Sequence, residues 1–184
     1  MDFISTLWLP ILLSAVFVFI VSSVIHMVLG YHASDYQQLP DEEGAMDVLR
    51  GLKIPPGFYM VPKPSGMKDY NTPEYKAKMQ KGPLMFMMVR KYQEGMAKNL
   101  IQWFLYSLVI SFFTAYIASH TVGAEADYMV VFRVVGTTAF MGYSLGLFQD
   151  AIWNSKPWNA TWKGAFDGLI FALVTAGTFG WLWA

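Results

Sequence analysis

The sequence predicts an all-α integral membrane protein, a four-helix transmembrane bundle with a cytoplasmic insert between helices 1 and 2, and three observations carry that prediction. Four stretches are long and apolar enough to cross a hydrocarbon core, which takes roughly 20 helical residues. A chain of 184 residues that is 55% hydrophobic and only 14% charged, with mean hydropathy +0.36, is too apolar for a soluble domain of that size. Finally, lysine and arginine fall in alternate loops, as the positive-inside rule requires of a multi-pass chain.

The first span is predicted over residues 7–30, "LWLPILLSAVFVFIVSSVIHMVLG". Its flank "MDFIST" carries an acid and no base, and no small-residue cleavage site follows, so the segment is expected to stay as a span rather than leave as a signal peptide. Pro10 falls in the opening turns, where a missing N–H costs least. The remaining spans are predicted at about 100–119, 128–148 and 164–184, so that residues 1–184 form a single membrane domain with an insert over 31–98.

Of the 13 basic residues, ten lie in the insert, Lys156 and Lys163 lie between spans three and four, and only Arg133 stands apart. The opposite loops offer only Asp2, Glu125 and Asp127 as charges. This places both termini outside and the insert in the cytoplasm of a cell whose inner (plasma) membrane holds the chain. Trp8, Tyr128, Trp181 and Trp183 then mark the outer interface, and Trp103, Trp153, Trp158 and Trp162 the inner one.

Three short elements are expected in the insert. "LPDEEGAMDVLRG" has acids in its first turn, Arg50 near its end and Gly51 as a stop, which reads as a helix. "LKIPPGFYMVPKPSGM" holds too many prolines for a helix or a central strand and is expected to be extended. In "NTPEYKAKMQKG", Thr72 is the N-cap, Pro73 the first helical position and Gly82 the terminator. The stretch "PLMFMMVRKYQEGMAKNL" is read as a surface helix with Arg90, Lys91 and Lys98 toward lipid headgroups, or as an extension of span two, in preference to a methionine-rich docking surface for a partner.

The clearest periodicity lies in span four, where Gly164, Gly168, Ala172, Ala176 and Gly180 recur every four residues as a small-residue stripe. Gly142 and Gly146 give span three a shorter version. Either the two spans pack on each other through these residues, or one stripe faces another protein.

His26, Arg133, Asp150 and Asp167 are the candidate intramembrane polar residues. Asp167 is either a headgroup-level collar near its helix N-terminus, with Lys163 one turn earlier, or a buried group that needs a partner, for which His26 lies at matching depth. Arg133 either snorkels to the surface or pairs with Glu125, Asp127, Asp2 or His120. Thr137, Ser144, Thr175 and Thr178 are candidates to line a polar path between the two ends.

The chain has no cysteine, which removes disulfides, thiolate catalysis and Cys-based metal sites. Its formal charge of +0 argues against nucleic acid as a partner. A six-residue spacing between His26 and His32 on a helix would turn the two rings apart, so neither haem nor a metal is expected. No GxxxxGK[ST], HExxH or GxSxG motif occurs, and no repeat relates the spans.

The segments "HASDYQQLPDEE", "PPGFYM" and "DGLIFALVTAGTFGWLW" together resemble uncharacterised bacterial inner-membrane proteins with four spans. The resemblance implies a bacterial membrane setting and brings no functional residue with it. From the residues alone, the expected function is that of a non-catalytic accessory or assembly subunit, packing against other membrane subunits among lipids. The alternative is a small transporter or ion conduit using the polar residues named above, with a membrane enzyme third.

Overall fold

A computed structural model describes residues 3–90 and 95–183. Asp2, Lys91 and Ala184 lie outside the described residues. Four helical stretches are long and apolar enough to cross a membrane, Phe3–Leu29, Met96–Thr121, Tyr128–Asn154 and Trp158–Leu182, and the chain is a multi-pass membrane protein.

Each stretch is longer than its apolar run. Helix α1 spans Phe3–Val24 and continues as one π-helical segment, Ile25–Leu29. The second span is α4, Met96–Thr121. The third is α5, Tyr128–Phe140, a π-helical segment Met141–Leu145, and α6, Leu147–Asn154. The fourth is α7, Trp158–Leu182, which starts straight after Pro157. A hydrocarbon boundary does not end a helix; a proline or a left-handed residue does. Span four therefore begins six residues before Gly164, and Asp167 moves from the first turns to a point about 13 Å along the helix.

The spans form a ring in which α1 packs on α4 and α7, and α5 packs on α4 and α7. One half of the interior is built from Leu7, Ile11, Ala115, Ala118, Val131, Val135, Ala176 and Phe179. The other half is built from Val18, Ile25, Ala139, Tyr143, Phe171 and Ala172. Trp8, Trp153, Trp158, Trp162 and Trp181 are exposed on the outer surface.

The α7 stripe faces the third span along its length. A Cβ added at Gly164 would lie 3.2 Å from Leu147, and one at Gly168 would strike Ser144 and sit 3.2 Å from the Tyr143 backbone. Ala172 and Ala176 are buried, the latter against Gly136, and Gly180 abuts the Tyr128 ring. Gly142 instead faces Ile110 of α4, and Gly146 has open space around it. The π-helical segment shifts the third span's backbone ladder, and the Gly142 carbonyl accepts from Tyr106 Oη at 2.8 Å.

Residues 37–94 group as a second compact unit, while residues 31–36 group with the spans. The insert thus begins six residues later than its composition suggests, because Tyr31, His32 and Asp35 bond to α7. Within the insert, α2 covers Glu42–Gly51, with Asp41 accepting from the Gly44 N–H. Helix α3 covers Pro73–Lys81, with Thr72 accepting from the Tyr75 N–H. Strand β1, Gly57–Val61, pairs antiparallel with β2, Met85–Val89. The expected helix over the start of "PLMFMMVRKYQEGMAKNL" is therefore a strand, so the chain is not purely α. Arg90 is exposed beyond β2, and Lys98 lies in the first turn of α4. Tyr75 is the one buried large apolar side chain among the described residues of the insert, which is too little for a core of its own.

Candidate functional site

The site begins with the way the first span ends. Gly30 closes the π-helical segment with φ 63, a left-handed conformation that glycine adopts without the steric cost of a Cβ. The chain then makes a 3-10 turn, Tyr31–Asp35. Helical spacing no longer relates His26 to His32 across that break, and their rings come to 4.8 Å between centroids. The expectation that a six-residue spacing sets them apart fails for that reason.

Asp167 of α7 meets this turn. It is only 3% exposed, and its two carboxylate oxygens are both engaged: Oδ1 accepts from Tyr31 Oη and Oδ2 lies 2.7 Å from His32 Nε2. The second ring nitrogen, His32 Nδ1, lies 2.6 Å from Asp35 Oδ2. Asp35 Oδ1 accepts from Lys163 Nζ at 2.7 Å, and the same ammonium donates to the Tyr31 carbonyl and to Ser34 Oγ, both at 2.8 Å. An imidazole with a carboxylate at each nitrogen donates to both only when it carries both protons. Two carboxylates, one imidazolium and one ammonium then balance in charge, which makes a partly buried ionic cluster tolerable.

The groups outside the spans respond accordingly. Burial opposes the charged form of His32, but its hydrogen bonds to Asp35 and Asp167 outweigh that and raise its pKa. The Lys163 hydrogen bond, followed by that of His32, holds Asp35 below the usual carboxylate range against the effect of burial. Burial and the hydrogen bond to Asp167 push the Tyr31 phenol up, so it stays a neutral donor.

Around the cluster lies a cavity of about 450 Å³, lined among others by His26, His32, Asp35, Lys156, Gly164 and Asp167. A second cavity of about 410 Å³ lies at the other end of the bundle, lined by Phe3, Thr6, Leu7, Ser119, His120, Val122, Ala124 and Trp183. Pro10 sits in the third turn of α1 rather than its opening turn, and it has no N–H to offer the Thr6 carbonyl.

Between the cavities the interior carries hydroxyls. Ser14, Ser111, Thr114 and Tyr143 are buried with oxygens that lack a hydrogen-bond partner among the described residues. Tyr143 Oη stands among Ser107, Ser111 and Thr175. Ser144 donates to the Ala165 carbonyl at 3.2 Å, while Thr175 and Thr178 donate to their own helix. Thr137 is exposed and takes no part. Buried hydroxyls without protein partners are where internal water binds.

The other polar residues singled out from the sequence lie elsewhere. Asp150 is exposed and accepts from Asn154 at 2.9 Å. Arg133 is exposed on α5, and no ion pair holds it among the described residues. His26 reaches the cluster but makes no hydrogen bond among the described residues; the partners of Asp167 are His32 and Tyr31. Sequence reasoning missed Tyr31, His32 and Asp35 as partners of α7. The available signal was Gly30 followed by "YHASD", a helix stop that frees the next residues from the helical angle.

No family model, curated protein or solved structure matches this chain.

Proposed function

We propose that the protein is a small multi-pass transporter or conduit for a cation, with Asp167 as the cation-binding carboxylate. The observation that carries this reading is a single one: a carboxylate 3% exposed within a span faces a cavity of about 450 Å³. Ionisable groups at such positions are costly, and they mark substrate and ion pathways or proton relays. The hydroxyls of Tyr143, Ser111, Thr114 and Ser14, which have no partner among the described residues, support a hydrated route from there toward the second cavity. In this reading both termini face outward and the Asp167 end faces the cytoplasm of a bacterial cell, in keeping with the basic residues of the insert.

The α7 stripe, which suits a partner helix on paper, is covered by the third span of the same chain. It therefore lends no weight to an accessory-subunit role. Proteoliposomes loaded with ion-sensitive dyes test the proposal. Purified protein should pass protons or a metal cation, Asp167→Asn should abolish the flux, and an inert wild-type preparation would retire the conduit.

A further inference from the structure

We propose that His26, His32 and Asp167 form a binding site for one divalent transition-metal ion of the zinc class. The inference rests on reading the Asp167 cluster as the functional site and names the kind of cation it takes. The donor atoms of these three residues lie within 4.8 Å of one another. Two imidazoles and one carboxylate are a borderline-soft set that suits zinc and its neighbours. Magnesium and calcium call for oxygen ligands throughout.

The surroundings support coordination in a way a plain salt bridge does not require. The Asp35 carboxylate lies 2.6 Å from His32 Nδ1, the nitrogen that faces away from Asp167, which is the arrangement that orients a metal-bound histidine and raises its basicity. Tyr31 bonds the other oxygen of Asp167, and Lys163 in turn fixes Asp35. Every ligand but one is thus held by a further hydrogen bond. The exception, His26, is exposed and stands beside His32 without a hydrogen bond among the described residues. A swing of its side chain closes the set. Three protein ligands leave a fourth position open, and here it opens into the cavity of about 450 Å³. On binding, the ion takes the place of the His32 Nε2 proton, which is released to solvent, and the Nε2–H···Oδ2 hydrogen bond gives way to two metal–ligand bonds.

His26 is the discriminating residue, because an ion-pair latch between His32 and Asp167 has no use for it. The full-length chain, freed of any affinity-tag histidines and held in detergent micelles, is titrated with Zn²⁺ by equilibrium dialysis and with Co²⁺ by visible absorption. One equivalent should bind, with Co²⁺ giving the intense bands of a low-coordinate nitrogen–oxygen site and excess Mg²⁺ failing to displace it. His26→Ala should weaken Zn²⁺ binding at least tenfold while leaving the metal-free melting temperature in place, and Asp35→Asn should weaken it about 10- to 100-fold. These two variants keep the test valid if Asp167→Asn does not fold. Absence of stoichiometric binding overturns the site, and so does binding indifferent to His26→Ala. Zn²⁺ binding in a protein that conducts nothing keeps the metal site and removes the conduit, whereas flux without Zn²⁺ binding does the reverse.

Discussion

Two cavities of the bundle are nearly equal in size, about 450 Å³ around Asp167 and about 410 Å³ beside His120, yet the charged groups they gather differ sharply. At the Asp167 end a buried carboxylate, two histidines, a second carboxylate and an ammonium converge from the end of the first span, the turn after it and α7. At the other end the one titratable side chain among the described residues of the lining is His120, whose Nδ1 lies 2.7 Å from the Tyr116 carbonyl of its own helix. Empty space is common between helices. What separates a site from a packing gap is that groups from different elements are held pointing at one another.

Substitutions that treat the two ends alike sharpen that contrast. The largest effect is expected for Asp167→Ala, which strips Tyr31 and His32 of a shared acceptor and leaves the imidazolium half-paired. Breaking a buried ion pair from one side costs about 3–5 kcal/mol, and thermal unfolding in detergent should show it. His120→Ala in the other cavity should leave both stability and Zn²⁺ binding close to wild type, and a loss matching that of Asp167→Ala would dissolve the distinction.

Next in size comes Gly168→Val, beside Asp167 on the stripe. The new side chain collides with Ser144 and the Tyr143 backbone, and overpacking of that kind costs about 1–3 kcal/mol. Gly146→Ala, in helical conformation with nothing nearby, should instead be neutral or gain about 0.4–1 kcal/mol. Comparing the two melting temperatures checks that the stripe rather than glycine content holds the spans together.

A smaller effect is expected for Tyr143→Phe, which removes a buried hydroxyl that has no partner among the described residues. Stability should change by less than about 1 kcal/mol, while flux between the two ends should fall if water follows these hydroxyls. The smallest is Arg133→Gln, an exposed side chain with no ion pair among the described residues, for which about ±0.5 kcal/mol is expected.

The spans were legible in the sequence because hydropathy acts locally. So was the Thr72 end of α3, where a side chain caps a backbone a few residues away. The strand pairing of Gly57–Val61 with Met85–Val89 was not, since its partner lies beyond a whole helix and "MFMMV" carries one β-branched residue. Asp167 was visible as an anomaly, but its place along the helix depended on Pro157 setting the helix start, not on where apolar residues begin. Its partners were hidden by assuming that the first helix runs on through His32.

Gly30 has a consequence for how the cluster is controlled. One backbone torsion joins the end of the first span to the turn that carries Tyr31 and His32, and a Cβ at this position would touch nothing within 4 Å. Crowding therefore plays no part in keeping it glycine; only the left-handed angle does. A residue that relaxes that angle would rotate two side chains away from Asp167 together, like a key turned in a lock, and so detune the chemistry without replacing any group that performs it.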